Sequence, residues 1–408
     1  LKLFLKPQKL INLTLISLKM EVYFDNAAST PLSPQALEAM LPFLQEQYGN
    51  PSSVHRFGRK LRVAIEQARK TIAEIMGCAP AEITFTSGGT EADNLALCSL
   101  VYGPPAVRHI ITSPIEHHAV LHTVQALARR RNDLKVTLLD ISHSGAWSLE
   151  QLEDVLKRHC NENPDKPAAV SLMHANNEIG AMIDLKIVGE LCAQYRCYFH
   201  SDTVQTVGHY PFTLSRTPVD FIAASAHKFY GPKGVGFVYH KNPKSVEPLI
   251  CGGGQERNLR AGTENVAGIV GMAKALEITV AEQQQTKAHL QKLKNYFMEK
   301  LRALFPGVLF NGDPEAENSL ASVLNVAFPI NDPESMLTFT LDIEKIACSG
   351  GSACSSGAVN NSHVLKAMGC SPERMANSIR FSFGKQNTLA EVDYVLQVLA
   401  KVVTPLAV

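Results

Sequence analysis

No two cysteines in this sequence stand as Cys-x-x-Cys, and the nine present fall at irregular intervals. That excludes a disulfide framework and a clustered zinc site, and predicts a reducing, cytoplasmic location. No run of about eighteen apolar residues occurs, so a membrane span is not expected. Neither sign of charge dominates: 39 Lys and Arg face 38 Asp and Glu, a formal charge of +1. The chain therefore lacks the field that would recruit nucleic acid or an anionic membrane. Internal repeats and low-complexity tracts are missing as well. What is there is 408 residues, 45% hydrophobic and 19% charged, enough for two packed domains and suited to a small neutral or zwitterionic ligand.

The chain starts at Leu1, and Met20 stands directly before the strand-like run Val22–Phe24. Residues 1–19 read as an upstream extension. A targeting segment is the competing reading, but Pro7 and scattered lysines break its apolar run and no small-residue cleavage site follows. From about residue 60 to 240, short β-branched runs alternate with helical stretches, the pattern of a parallel sheet covered by helices. The expected strands are Ile83–Thr86, His109–Thr112, Val136–Leu139, Val170–His174, Cys197–His200, Phe221–Ala224 and Val235–Tyr239. Almost every polar cluster of interest follows one of them, and open α/β sheets bind ligands beyond the carboxyl ends of their strands. Residues 270–305 read as one long helix stopped by Pro306-Gly307. Beyond it, the runs Val323–Phe328 and Leu389–Val402 predict a smaller α+β domain.

Ser225-Ala226-His227-Lys228 stands between the strand Phe221–Ala224 and a glycine-rich turn. A lysine fixed at a strand end among hydroxyl and imidazole donors is what Schiff-base chemistry beside a phosphate requires. Its rival, Lys233, lies in the turn and reads as solvated. Upstream, Asp202 closes the run Cys197–Ser201 and Gln205 follows it. An aspartate there can keep a pyridine nitrogen protonated: at ~4 Å and an effective dielectric of ~20 the pair is worth up to ~4 kcal/mol before desolvation, or ~3 pK units. A helix N-cap explains the same residue. Ser87-Gly88-Gly89-Thr90-Glu91 leads from a strand into a helix, where glycines bring N–H groups up to a phosphate and the helix N-terminus adds about half a positive charge. Its spacing fits neither the Walker nor the dinucleotide fingerprint. Glu116-His117-His118 also follows a strand; an imidazole there either stacks on a cofactor ring and moves protons or is a hydrogen-bonded structural residue. Finally, Cys348-Ser349-Gly350-Gly351-Ser352-Ala353-Cys354-Ser355-Ser356-Gly357 surrounds Cys354 with small residues, predicting an exposed, mobile loop and a reactive thiol. An unshifted pKa near 8.5 leaves only ~3% thiolate at about pH 7, so a cationic neighbour or proton acceptor must assist.

With these residues the sequence resembles the cysteine desulfurases of the iron-sulfur-cluster-assembly and nitrogen-fixation type, within the class V aminotransferases. The similarity runs from Val22 to about Val402. Its markers are Tyr23-Phe24-Asp25-Asn26-Ala27-Ala28, Gly49-Asn50-Pro51-Ser52-Ser53, Gly89-Thr90, Met173-His174-Ala175-Asn176-Asn177-Glu178, His227-Lys228, Arg260-Ala261-Gly262-Thr263 and the Cys354 loop. The resemblance implies an α/β, aspartate-aminotransferase-like (fold type I) enzyme. It divides the chain into a segment at 20–34 packing with the small domain, a large cofactor-binding domain at 35–272 and a small domain at 273–408. Pyridoxal phosphate is expected on Lys228, with Asp202 at its ring nitrogen, Gln205 at its phenolic oxygen and His117 stacked on the ring. Gly89, Thr90, Ser225 and His227 would meet the phosphate, joined by Thr263 from the second subunit of a homodimer. Asn177 is expected at both cofactor and substrate, and Arg380 and Asn26 at the substrate, Arg380 as a planar fork for the carboxylate.

The same resemblance makes Lys228 the base at Cα of L-cysteine, His117 the proton shuttle at its thiol and Cys354 the nucleophile that becomes a persulfide. It also implies a persulfide-accepting partner such as an iron-sulfur scaffold. No resident metal is expected, although Cys354 would touch an iron-sulfur cluster in passing. Cys348 departs from the apolar residue expected at its position. Two other readings are a selenocysteine lyase or aminotransferase in which Cys354 is dispensable, and a thiol-based scaffold protein without cofactor.

Overall fold

The computed structural model describes residues 20–330, 336–350 and 362–403. The 1–19 extension and Cys354 both lie outside the described residues. Twelve strands are present among them. In chain order they are β1 (Val22–Tyr23), β2 (Ile83–Thr86), β3 (His109–Thr112), β4 (Lys135–Leu138), β5 (Ala168–Ser171), β6 (Tyr198–Asp202), β7 (Phe221–Ser225), β8 (Gly236–His240), β9 (Leu309–Asn311), β10 (Val323–Ala327), β11 (Ile346–Ala347) and β12 (Ser378–Ser382).

Seven strands form one sheet in the order β2-β8-β7-β6-β5-β3-β4. Strands β2, β3, β5, β7 and β8 are buried along their whole length, as apolar runs must be when helices cover both faces. Pairing is parallel from β4 through β7, whereas β8 runs antiparallel to both β7 and β2. Two reversals restore direction, so β2 points the same way as β7. The carboxyl ends of β2, β3, β5, β6 and β7 therefore all reach one edge of the sheet, and the turns that follow them converge there.

A second, antiparallel sheet has the order β12-β10-β9, and β1 pairs parallel with β11. Single bridges join Asp25 to Ser382 and Ser349 to Arg380, which stitches the N-terminal segment and the residues after β11 onto β12. The predicted single helix over 270–305 is two helices, Val266–Ala281 and Gln283–Leu304. At the break, the Glu282 carboxylate pairs with Lys385 at 2.7 Å and the Gln283 amide donates to the Gly208 carbonyl at 2.9 Å. The break also divides the apolar packing. Ile269, Met272 and Leu276 belong to the core under the large sheet, whereas Leu290, Phe297 and Leu301 pack with Val22, Phe24, Phe381 and Leu399.

Candidate active site

The convergent turns enclose a cavity of about 350 Å³, within the range of small-molecule sites. Gly89, Thr90, His117, Asn177, Asp202, Gln205, Ser225, His227, Lys228 and Arg380 all line it. Each is set by its element. Gly89 and Thr90 open the helix Gly89–Tyr102 directly after β2, so their N–H groups belong to the first turn, which has no intrahelical acceptors. A Cβ on Gly89 would stand 2.6 Å from Val204 Cγ2. Any side chain there would displace Val204, whose N–H donates to Asp202 Oδ1 at 2.9 Å.

Asp202 ends β6, and Lys228 closes a short 3-10 turn directly after β7. The Lys228 ammonium donates to the carbonyls of Ala27 and, at 2.9 Å, Ala28. Gln205 also donates to Ala27 O, at 3.1 Å, so the N-terminal segment anchors both side chains. Lys233 is exposed in its turn and does not line the cavity.

His117 is the N-cap of the helix His118–Arg130; its Nδ1 accepts from the Ala119 N–H at 3.1 Å. That bond fixes the tautomer of the neutral ring, leaving the hydrogen on Nε2. Burial holds the His117 pKa below its ordinary value, with Asp202 opposing and Lys228 assisting. His227, bonded through Nδ1 to the Ser29 hydroxyl at 3.3 Å, is pushed down to about 4 by burial and then by Lys228 and Lys233. Asp202 is fully buried, and desolvation raises its pKa against the pull of His117, Val204 N–H and Lys228. A buried carboxyl in that state calls for a cation beside it.

Arg380 reaches the cavity from the middle of β12, the other sheet. Its Nη2 donates to Asp25 Oδ1 at 2.7 Å and its Nη1 to the Asn177 carbonyl at 3.1 Å. Of its five N–H donors those two bonds use two, and the Nε has no hydrogen-bond partner among the described residues. Asn177 is placed by Asn176, whose Nδ2 donates to Ile115 O and whose Oδ1 accepts from Glu178 and Ile179.

Two predicted residues stand apart from the cavity. Asn26 does not line it: its Nδ2 is spent on Tyr23 O, Ser382 O and Asn387 Oδ1, and its Oδ1 accepts from Gln386. These bonds fasten the N-terminal segment to the far end of the chain. Thr263 is exposed and does not line the cavity of its own chain. Cys348 packs against the smaller core, and burial raises its thiol far above the ordinary range. Four further wall residues had no role from sequence: Asp93, His118, Glu178 and His363. Asp93 is fully buried with its pKa raised by burial and by Asp202 and Glu116. Asp25, the partner of Arg380, was visible only as part of a motif.

These donors fit pyridoxal phosphate. An open helix start, two hydroxyls and a neutral imidazole suit a phosphate; a buried carboxyl whose pKa desolvation raises suits a protonated ring nitrogen; and a lysine lies in the same wall. The family model of aminotransferase class-V matches residues 22–395. The cysteine desulfurase IscS of Dictyoglomus turgidum is 42% identical over 390 residues, covering 95% of this chain and 96% of its own. A putative cysteine desulfurase, IscS 1 of Bacillus subtilis, is 41% identical over 384 residues, 94% of this chain and 98% of its own. Among solved structures, a NifS-like protein superposes with a TM-score of 0.84 at 38% identity, covering 94% of this chain and 99% of that one. SspA in complex with cysteine gives 0.76 at 33% identity, covering 90% and 100%. Matches of this extent, on a cavity so furnished, place the chain in the aminotransferase class-V family, where it groups with the cysteine desulfurases.

Proposed function

We propose that the protein is a pyridoxal-phosphate-dependent cysteine desulfurase that converts L-cysteine to L-alanine and leaves the sulfur as a persulfide on Cys354. The observation that carries this reading is the meeting of Lys228, Asp202 and His117 with Arg380 in one cavity. Lysine and aspartate serve the cofactor; arginine serves an amino-acid carboxylate. Bound pyridoxal phosphate supplies an electron sink for the charge that develops at the substrate Cα. Thr90, Ser225, His227 and the N–H groups at Gly89 would hold its phosphate, Gln205 its phenolic oxygen and Asp202 its ring nitrogen. Arg380, steadied by Asp25, orients the carboxylate together with Asn177. Lys228 Nζ takes the Cα proton. With Nδ1 held by the Ala119 N–H, His117 would serve the substrate thiol through Nε2, donating a proton there before it can accept one.

Cys354 Sγ then bonds to the substrate sulfur as the Cβ–S bond breaks, its electron pair staying on carbon. Both described neighbours of that segment are tied to the cavity wall. Ser349 exchanges backbone bonds with Arg380 at 3.2 and 2.7 Å, and the Ser362 hydroxyl donates to Glu178.

The same reading includes a cytoplasmic homodimer and a persulfide-accepting protein, such as an iron-sulfur scaffold. Exposed Thr263 fits a phosphate contact made across subunits. Leu37, Leu41, Leu44 and Phe57, exposed on the helices Pro34–Gln45 and Arg56–Met76, fit burial against a second copy. The division into two domains is supported by the change of core between Leu276 and Leu290, which favours Glu282 over 272/273 as the junction.

The test is sulfide and alanine release from L-cysteine. Cys354→Ala should bind cofactor normally and release almost none, Cys348→Ala should keep most activity, and wild type should carry one added sulfur on the Cys354 peptide under non-reducing conditions. Turnover by Cys354→Ala at the wild-type rate would return the protein to the lyase or aminotransferase reading.

A further inference from the structure

A second cavity adjoins the first. It encloses about 370 Å³, room for a ligand of one ring, and Met173 lines both. Trp147, Ile115, Met182 and Ile187 give it apolar walls, and Glu116, Asp184 and Asp313 are its charged residues, with no Lys, Arg or His in the lining. Two of these carboxylates are engaged. Asp184 Oδ1 caps the helix Leu185–Gln194 through the N–H groups of Lys186 and Ile187, and Asp313 Oδ1 accepts from Glu315.

Glu116 is different. It is 1% exposed; Oε1 accepts from the Ser113 hydroxyl at 3.0 Å and the Met173 N–H at 2.9 Å. Oε2 is buried with no hydrogen-bond partner among the described residues. Native folds seldom keep a buried polar atom in that condition without a use for it. Glu116 lines this cavity and not the first, so its side chain, with the orphaned oxygen buried behind the wall, stands at a cavity to which the desulfurase reading gives no task.

We propose that this cavity is a second ligand site, taking a small ammonium ion that carries one aromatic ring, with its N–H on Glu116 Oε2 and its ring against Trp147. Acidic and apolar lining without a cation selects positive charge and rejects carboxylates, and an indole face adds cation–π attraction. Burial, with Asp202 adding to it, pushes the Glu116 carboxyl up to about 8, a state that an arriving cation reverses. Glu116 also touches the first site through its backbone: its carbonyl accepts from His363 Nε2 at 2.9 Å, and the next residue is His117.

Trp147 is the only tryptophan in the chain, so its emission reads this cavity directly. The probe is N,N-dimethylbenzylamine, which is protonated at neutral pH and, as a tertiary amine, forms no Schiff base. Titrated into the holoenzyme, it should change Trp147 emission saturably, phenylacetate should not, and saturating L-alanine, which occupies the first cavity, should leave the titration in place. Glu116→Gln and Ile187→Lys should each raise the apparent Kd roughly tenfold or more. Ile187 is 48% exposed, so the second variant folds whatever becomes of the first. Absence of a saturable change in wild type, an equal response to phenylacetate, loss of the signal with L-alanine, or wild-type titrations in both variants would overturn the proposal.

Discussion

Asp25→Asn separates the two services that Asp25 performs for Arg380. One oxygen, Oδ1, accepts both the Arg380 Nη2 at 2.7 Å and the Ser349 hydroxyl at 2.9 Å. Asparagine keeps that oxygen and removes only the charge. With charge centres ~4 Å apart and an effective dielectric of ~20, the pair interacts by ~4 kcal/mol. Asp25 is 18% exposed against 1% for Arg380, which sets the loss between the exposed and buried limits, at about 2–3 kcal/mol. Urea unfolding of the holoenzyme should show that loss. KM for L-cysteine should move the other way, holding or falling, because an arginine without its internal counter-charge attracts a carboxylate more strongly. Asp25→Ala removes the tether as well, frees the guanidinium from the wall and should raise KM by about tenfold or more. An Asp25→Asn protein as stable as wild type, or one whose KM rises as far as that of Asp25→Ala, refutes the reasoning.

Lys228→Ala should lose all turnover and all borohydride-trapped cofactor; a trapped adduct on Lys233 would reverse the assignment. Thr263→Val should weaken cofactor retention in the dimer, and equal retention by a monomer would contradict a phosphate site shared between subunits. Lys294 is fully buried and donates to Ser319 Oγ at 3.0 Å and Leu320 O at 2.9 Å. Burial brings it down to about 8, with Asp313 opposing, against about 10.4 in the unfolded chain. Between those values the unfolded state holds more protons, so the cost is full below about pH 8 and stability recovers as pH rises toward about 10. Lys294→Met should flatten that rise in urea unfolding between about pH 7.5 and 9.5, and an unchanged slope would argue against it.

Local signals account for most of what the sequence disclosed. Strand ends followed by Gly89-Thr90, by His117, by Asp202 and by His227-Lys228 each announce themselves within a few residues, and the sheet direction does the rest. Where partners are remote, nothing local announces them. Glu282 is an ordinary helix former; the helix breaks there against Gly208 and Lys385. Asn26 sits inside a strong motif, yet its amide is consumed by Ser382, Asn387 and Gln386 from the far end of the chain. Asp25 acquires meaning only when β12 brings Arg380 to it. Asp93 has no local partner that marks it; β6 brings His200 Nε2 to 3.3 Å from its Oδ1 and Asp202 near enough to raise its pKa.

The guanidinium of Arg380 is held by a carboxylate 355 positions earlier and a carbonyl 203 positions earlier. During synthesis, every cavity-lining residue from Gly89 to Lys228 leaves the ribosome long before the arginine does. Contacts of such separation form late, because closure of so long a loop must precede any reward. A nascent chain can therefore assemble the large-sheet wall of the cavity while the wall that Arg380 supplies is still missing. The arginine side of the cavity is complete only when the residues just after β1 have docked beside β12, through the bridge of Asp25 to Ser382.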